Sequence, residues 1–370
     1  MSTFKSLSLK TNPFRITPAT DSNELIWAGF PKVKERIEKR IQRSIHIPNT
    51  SLILNWGEYG SGKTHAAKFF CKDDVLTELA GEDQSTPFSL TISFPKSKEP
   101  VKDIFNQIID RIDFNTLRGK LQESSVVNND TLPYISDNLF INNLFRVIFA
   151  ESETGNDVYR EERIKSYLYG DAKELLKQGV LRKLSSDIDY TEFLGALFSL
   201  MTYEKRAYSC VILWIDEFED ISILNSTNIS NINNFIRTII DKTPNNLLIF
   251  LNLTQSAMID VQDLGEYLQE AVKSRIRDRI EFNMPDRDEL KLYIKELLNN
   301  PIFRDGIVDN EYVPFSEKVI DMIIEDLGTV SLRRYNEAFS ILLENAAFDG
   351  KSSIDIDYYN GIKSEIIGWK

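Results

Sequence analysis

The sequence predicts an α/β fold in which a parallel sheet of five strands is flanked by helices and followed by a helical domain. Three observations predict it. An apolar segment at 51–56 runs into a glycine-rich turn at 57–64 and then into a helical pattern. The segments 210–215 and 247–251 are apolar at every position, as in strands that are covered on both faces of a parallel sheet. Strand patterns at 87–94 and 279–285 complete the five strands.

The glycine-rich turn has the spacing of a phosphate-binding loop. It consists of Gly57, Glu58, Tyr59, Gly60, Ser61, Gly62, Lys63 and Thr64, with His65 following in the helix. Backbone amides must approach a polyphosphate closely in such a loop, and glycines leave room for this and permit positive φ. Lys63 can reach the β- and γ-phosphates, and the Thr64 hydroxyl can bind Mg²⁺. The alternative is a chance glycine turn before a helix.

An acidic pair, Asp216 and Glu217, ends the apolar strand at 210–215. Ligands bind beyond the carboxyl ends of parallel strands, so we expect the pair beside the glycine-rich loop if the two strands are neighbours. Asp216 can then hold Mg²⁺ through its water shell, and Glu217 can orient and deprotonate an attacking water. The alternative is a strand that merely ends in an acidic turn.

Polar side chains also end the strand at 247–254. Asn252 and Thr254 have the same parity, so both side chains point to one face. Either could hydrogen-bond the γ-phosphate or the attacking water, and we favour Thr254 because it lies nearer the end of the strand. An ordinary turn residue at a strand end is the alternative for both.

Two arginines are candidates for contact with phosphate. Arg275 opens a cluster with Arg277 and Arg279, and it could reach a phosphate bound to a neighbouring subunit. Arg333 follows Ser331, which can cap a helix, and it could project toward the nucleotide. The alternatives are a surface salt-bridge cluster for Arg275 and a solvent-exposed helix face for Arg333.

The domain organisation follows from the change in pattern along the chain. We expect an N-terminal arm and lead-in helix at 1–50, the sheet domain at 51–285 and a helical lid at 286–370. Residues 117–190 carry no strand signal and are predicted to be a helical insertion, with helices at 139–150 and 171–184 separated by polar linkers such as 151–157. A further helix is expected at 266–275, before the last strand.

Composition limits the partners and the location. The chain of 370 residues is 42% apolar and 27% charged, with a formal net charge of −12, which repels nucleic acid at long range. DNA is therefore a possible partner that the charge does not support. No apolar run approaches the length of a membrane span and no signal-peptide core is visible, so we expect a cytoplasmic protein. Cys71 and Cys210 are expected to be buried free thiols.

The order of these motifs resembles that of the AAA+ ATPases. The chain is most similar to their initiator-type branch, the origin-recognition-like ATPases, including bacterial proteins of BREX-type anti-phage operons and transposition ATPases such as TnsC and MuB. Segments 166–176 and 214–221 are similar to the defence-associated group. Gly29 matches the adenine-side glycine of the family, whereas Phe30 stands where an arginine is usual.

The resemblance implies ATP and Mg²⁺ as ligands and a role for each candidate residue. Lys63 and Thr64 would contact phosphate and Mg²⁺, Asp216 and Glu217 would be the metal-side acid and the catalytic base, and Asn252 or Thr254 would be the first sensor. Arg275 would be the finger that acts on a neighbouring subunit, and Arg333 would be the second sensor.

The resulting hypothesis is a Mg²⁺-dependent ATPase that acts as an oligomerisation-linked switch, as a homo- or hetero-oligomer with a protein partner, in DNA transactions or anti-phage defence. One alternative is a nucleotide-gated scaffold that hydrolyses slowly and signals by assembly. The other is a small-molecule kinase that uses 117–190 as a lid over its acceptor.

Overall fold

The computed structural model describes residues 4–17, 22–149, 159–171, 173–255 and 264–367. The chain forms two compact units. The first, here called the loop–lid unit, comprises Met1–Arg36, Gly57–Phe69 and Glu281–Lys370, and the second, the sheet unit, comprises Ile37–Trp56 and Phe70–Ile280. Ala150 and the linker expected at 151–157 lie outside the described residues.

The sheet has five strands in the spatial order β2-β3-β4-β1-β5. The strands are β1 (Thr50–Glu58), β2 (Phe88–Ser93), β3 (Val211–Asp216), β4 (Leu247–Gln255) and β5 (Ile276–Phe282). Strand β3 pairs in parallel with β2 and with β4, and Ile215 lies opposite Leu251. Every residue of β3 is buried, as expected for a strand covered on both faces. The predicted five-stranded α/β fold is confirmed.

The last strand begins earlier than the sequence pattern predicted. It starts at Ile276 rather than at Arg279, and its burial alternates because it lies at the edge of the sheet. Arg277, Arg279 and Glu281 occupy its exposed positions, which hides the apolar pattern of a strand. The helix predicted just before it, 266–275, was wrong as one element, because two short helices occupy that segment.

Helices surround the sheet. Those before the lid are α1 (Pro31–His46), α2 (Lys63–Phe69), α3 (Asp73–Ala80), α4 (Pro100–Arg111), α5 (Phe114–Glu123), α6 (Leu132–Ile135), α7 (Leu139–Phe149), α8 (Arg160–Leu168), α9 (Lys173–Lys177), α10 (Asp187–Thr202), α11 (Ser226–Lys242), α12 (Leu264–Tyr267) and α13 (Glu270–Lys273). In the described part of the chain, no helix combines the length and the apolar character that a bilayer crossing requires. Cys71 and Cys210 are free, and Cys210 is buried while Cys71 is half-buried.

The helical insertion differs from the prediction in one segment. The predicted helix at 171–184 was wrong, because α9 covers only Lys173–Lys177 and α8 precedes it. Gly179 has a φ of 94°, which ends helical geometry there. Beyond it, Arg182 forms an ion pair with Asp189 at the start of α10, with Nη2 and Oδ1 2.6 Å apart. The segment after α9 is therefore not helical, and the Arg182–Asp189 ion pair fixes it to the start of α10.

The loop–lid unit has its own apolar core. Helices α14 (Arg287–Asn299), α15 (Glu317–Leu327), α16 (Leu332–Phe348) and α17 (Ile356–Ile367) supply most of it. Residues 4–17, expected as an extended arm, add Leu7, Leu9 and Phe14, all of them buried. The ring of Phe14 stacks on that of Phe339 with centroids 5.0 Å apart. Leu7, Leu9 and Phe14 therefore belong to the core of the helical lid.

Candidate nucleotide site

The glycine-rich loop follows β1 and is fastened by its own lysine. Lys63 opens α2 and is only 5% exposed. Its Nζ donates hydrogen bonds to the carbonyl oxygens of Gly57 (2.8 Å) and Glu58 (2.9 Å) and to Ser61 Oγ (3.2 Å). The ammonium group therefore sits inside the loop, where it draws the loop closed and provides positive charge for an anion.

The three glycines of the loop are favoured over other residues for different structural reasons. A Cβ at Gly57 would lie 2.3 Å from the carbonyl oxygen of Phe282, so only glycine fits there. Gly60 and Gly62 have φ values of 77° and 100°, which favour glycine. No described heavy atom lies within 4 Å of a Cβ built on Gly62. The loop thus has open space at Gly62, as a cradle for phosphate requires.

The imidazole of His65 forms its hydrogen bond with a residue outside the loop. Its Nε2 lies 2.8 Å from the carbonyl oxygen of Ile26. Burial lowers the pKa of His65, and the nearby Lys68 lowers it further, while the hydrogen bond to Ile26 opposes both. The ring is therefore neutral near pH 7, and it fixes the segment before α1 to the helix behind the loop.

The start of α16 contacts the loop directly. Ser331 caps this helix, since its Oγ accepts a hydrogen bond from the amide of Arg334. The amide of Arg333 donates to the carbonyl oxygen of Gly60 over 3.2 Å. The Arg333 guanidinium lies 4.7 Å from the centroid of the Tyr59 ring and hydrogen-bonds the Tyr59 hydroxyl. The structure therefore brings the predicted second sensor to the loop.

In the sheet unit, the carboxylate at the end of β3 is held by the side-chain amides of two asparagines. Asp216 is the last residue of β3 and is 8% exposed. Asn252 of β4 donates from Nδ2 to Asp216 Oδ1 over 3.0 Å. Asn55 of β1 donates from Nδ2 to Asn252 Oδ1 over 2.9 Å. This row, Asn55–Asn252–Asp216, joins three neighbouring strands, and Asn55 precedes Gly57 by two residues.

The two candidates for the first sensor make different contacts within this unit. Asn252 is fully buried and contacts Asp216, whereas the amide of Thr254 donates to Glu219 Oε2 over 2.9 Å. The preference for Thr254 is therefore not supported by a contact to the acidic pair. Asn55 was missed, although a buried amide inside the apolar segment 51–56 was a visible signal.

Glu217 has the environment of a proton acceptor. Its φ of 58° places it in the left-handed region directly after β3, and its side chain is exposed. Desolvation raises the pKa of Glu217, and the carboxylates of Asp216, Asp220 and Glu219 raise it further, while Lys96 lowers it. A raised pKa makes its carboxylate a stronger base than that of an ordinary glutamate.

Arg275 lies just before β5, on the side of the sheet where the strands begin, whereas Asp216 lies where β3 ends. Its Nη2 is 2.6 Å from Asp241 Oδ1, and with Arg277 it lines a groove of about 480 Å³. Thr50, the first residue of β1, lines the same groove, so the groove marks the amino ends of the strands. A strand of seven residues spans roughly 23 Å. Arg275 is therefore far from Asp216 of its own chain.

The residues present fit Mg²⁺ that is bound together with a nucleotide. Among the residues that the structure describes, no group of three or more His, Cys, Asp or Glu could hold a metal alone. Mg²⁺ is commonly bound by one or two protein oxygens together with substrate phosphates, and the buried carboxylate of Asp216 is a ligand of this type. In the described part of the chain, Asn55 Oδ1 is buried without a hydrogen-bond partner, which leaves one acceptor at this edge for a water or a ligand.

No family model matches the chain, and no curated protein does. Solved structures do match. The Aeropyrum pernix ORC2 protein in ADPNP–ADP complexes is 16% identical, with a TM-score of 0.51, over 97% of this chain and 73% of that one. The Drosophila ORC bound to DNA is 12% identical, with a TM-score of 0.50, over 99% of this chain and 65% of that one.

The Aeropyrum pernix ORC1 protein in complex with DNA is 12% identical, with a TM-score of 0.48, over 92% of this chain and 66% of that one. The chain shares its fold with the two ORC structures that match at TM-scores of 0.50 and 0.51. It spans about two thirds of the length of the Drosophila and Aeropyrum ORC1 chains, 65% and 66%. At these identities the likeness shows the fold alone, so the activity must be argued from the chain's own residues.

Proposed function

We propose that this protein is a Mg²⁺-dependent ATPase whose nucleotide state controls its assembly. The observation that carries the proposal is the row Asn55–Asn252–Asp216 at the carboxyl ends of β1, β4 and β3. Carboxyl ends of parallel strands are where α/β proteins bind ligands. The row begins two residues before the glycine-rich loop, so β1 connects the acidic strand end to the phosphate-binding residues through the chain itself.

We propose that the loop binds the phosphates of ATP. Backbone amides of the loop and the positive end of the α2 dipole can face the phosphates, while the Ser61 amide donates to the Glu58 carbonyl oxygen. Lys63 would exchange its bonds to loop carbonyls for phosphate oxygens, which are stronger acceptors for an ammonium group. Mg²⁺ neutralises phosphate charge when it is bound, and Thr64 and Asp216 are the residues that would hold it.

The proton chemistry is assigned to Glu217. In the proposed reaction, its carboxylate accepts a proton from the attacking water, for which a raised pKa is favourable. Asn252 would act as the first sensor, because a donor and acceptor that already contacts Asp216 can orient the water or the γ-phosphate. Thr254, which lies further along β4, is the weaker assignment.

Assembly is the second half of the proposal. Arg275 lies at the amino ends of the strands, whereas Asp216 lies at their carboxyl ends. The arginine therefore cannot reach the acidic pair of its own chain. This supports an action of Arg275 on the nucleotide of an adjoining subunit, where it would neutralise charge on the transferred phosphate. A site completed by two subunits makes hydrolysis depend on assembly.

We propose a protein as the partner. Two of the similar structures are described as bound to or in complex with DNA. The net charge of −12 of this chain favours a protein partner instead. A role in anti-phage defence rests on the resemblance of segments 166–176 and 214–221, and a role in DNA transactions rests on the resemblance to the initiator-type branch. Binding of duplex DNA at several salt concentrations, with and without ATP, separates these possibilities.

The central test compares the parent protein with Lys63→Ala and Glu217→Gln. We expect Lys63→Ala to lose nucleotide binding and Glu217→Gln to bind ATP without turnover. A parent that releases no phosphate from ATP at any protein concentration would refute the ATPase. A parent that assembles with ATP and is unaffected by Glu217→Gln would instead be a nucleotide-gated scaffold.

A further inference from the structure

Tyr59 is an unusual residue to find in the middle of a phosphate-binding loop. It is 66% exposed, although it is aromatic, and it lies between Gly57 and Gly60 of the loop. Its ring and its hydroxyl both contact one group, the guanidinium of Arg333. The third contact of that guanidinium is made by Nε, which donates to the carbonyl oxygen of Ile16 over 3.1 Å. Arg333 is thus held in a defined position beside the loop.

We propose that Tyr59 is a positioning residue that retains Arg333 beside the loop and competes with the terminal phosphate of ATP for it. The proposal rests on the function proposed above and deepens it. A guanidinium binds phosphate most strongly through two parallel N–H donors on one edge. Ile16 takes the single N–H of Nε, which leaves the edge formed by Nη1 and Nη2 for a two-donor contact with phosphate, and Tyr59 is already the partner of Nη1 on that edge.

The geometry around Gly60 makes the competition specific. The backbone of Arg333 is fixed by its hydrogen bond to Gly60, and a Cβ on Gly60 would lie 2.8 Å from Arg333 Cβ. The backbone of Arg333 therefore stays at the loop while its side chain is free to exchange partners. ADP lacks the γ-phosphate and would leave the guanidinium on Tyr59, whereas ATP would attract it away. Tyr59 accordingly reduces the preference for ATP over ADP.

The test measures binding rather than turnover. The dissociation constants of ADP and of the non-hydrolysable analogue ADPNP, each with Mg²⁺, are measured by displacement of a fluorescent ADP from the parent, Tyr59→Phe and Tyr59→Ala. We expect Tyr59→Ala to raise the preference for ADPNP over ADP by about three- to tenfold. Tyr59→Phe keeps the ring and loses the hydroxyl, so its effect should be smaller. Both variants should fold, because the side chain is exposed.

The control repeats both substitutions in an Arg333→Ala background, where they should leave the preference unchanged. The inference is overturned if Tyr59→Ala changes the affinity for both nucleotides by one factor, or if its effect persists without Arg333. A parent that binds neither nucleotide overturns the ATPase proposal and this inference together. A parent that binds both, with a preference that Tyr59→Ala does not alter, overturns this inference alone.

Discussion

Asn252 Nδ2 lies 3.0 Å from Asp216 Oδ1, and through this hydrogen bond β4 fixes the carboxylate at the end of β3. The same amide accepts a hydrogen bond from Asn55. A buried carboxylate with a fixed orientation can hold a metal-bound water without first reorganising. The polar row is therefore the part of the sheet unit on which the proposed chemistry depends most.

Replacing Asn252 should cost more activity than replacing Thr254. Asn252→Ala removes a hydrogen bond to a charged group, worth about 1.5–3 kcal/mol, and turnover should fall roughly 10- to 100-fold. Thr254→Val, a control of similar shape on the same strand face, should cost less. Steady-state ATP hydrolysis at saturating ATP measures both. A larger loss in Thr254→Val would contradict the assignment of Asn252.

Gly60 and Gly62 allow a matched comparison within the loop. Alanine at either position would adopt a positive φ, which costs on the order of 1–3 kcal/mol. At Gly60 the added Cβ would also approach Arg333 Cβ to 2.8 Å, whereas at Gly62 no described atom lies within 4 Å. Thermal unfolding should therefore show a lower midpoint for Gly60→Ala than for Gly62→Ala. Equal midpoints would mean that the start of α16 can move away from the added Cβ without lowering the stability of the protein.

The N-terminal segment should be essential to the stability of the lid. Phe14 is 2% exposed and packs on Phe339, so Phe14→Ala should lower the free energy of unfolding by about 3–5 kcal/mol. Ile16, two residues further on, is 47% exposed, and Ile16→Ala should change it by about 0.5 kcal/mol or less. Urea titrations of the two variants make the comparison, and similar losses would argue against a buried arm.

The activity should depend on the protonation of Glu217. Its pKa is raised, chiefly by desolvation, so the carboxylate needed as a base forms only as pH rises through a value above that of an ordinary glutamate. Turnover should therefore increase with pH, and the midpoint of this acid limb should lie above the pKa of an ordinary glutamate. The same shift means that deprotonation of Glu217 opposes folding, so its contribution to stability is present at low pH and is lost as pH rises through the folded-state pKa.

Lys96 provides the control for that assignment. It lowers the pKa of Glu217, so Lys96→Ala should move the acid limb to higher pH. Lys98→Ala removes the same charge two residues away and should leave the limb in place, because Lys98 is not among the groups that shift Glu217. A shift in Lys98→Ala of the same size would indicate a general effect of net charge.

Mixing two variants should reveal a site shared between subunits. Arg275→Ala keeps its own loop and acidic pair, and Glu217→Gln keeps its arginine. Neither should hydrolyse ATP well alone, but their mixture should recover activity, since an intact pocket of one subunit would face an intact arginine of the other. Arg277→Ala, from the same groove, should need no complementation. A mixture no more active than the sum of its parts would contradict the shared site.

The regular elements of the fold could be predicted where their burial follows a simple pattern. Strand β3 is buried at every position, and the unbroken apolar run at 210–215 predicted it. The start of β5 was not predictable in this way, because an edge strand exposes every second residue and carries charges there. The length of α9 was overestimated, because the ion pair between Arg182 and Asp189, which forms beyond the end of the helix, leaves no periodic signal in the sequence.

The identity of the residues in the candidate site was harder to predict than their location. Strand parity put Asn252 and Thr254 on one face but could not say which is level with Asp216. That depends on the register between β3 and β4, in which Ile215 pairs with Leu251 and so brings Asp216 level with Asn252. The role of Asn55 depends in turn on β1 lying next to β4 in the sheet. Neither register nor strand order is encoded locally.

The composition of the loop–lid unit has a consequence for synthesis on the ribosome. Phe14 packs on Phe339, and the start of α16 contacts Gly60, so each of these residues must wait for a partner that is translated much later. The sheet unit has all of its residues once Ile280 has emerged and can fold first. A nascent chain would then expose its glycine-rich turn without α16, and it would become competent for nucleotide only after α16 has emerged.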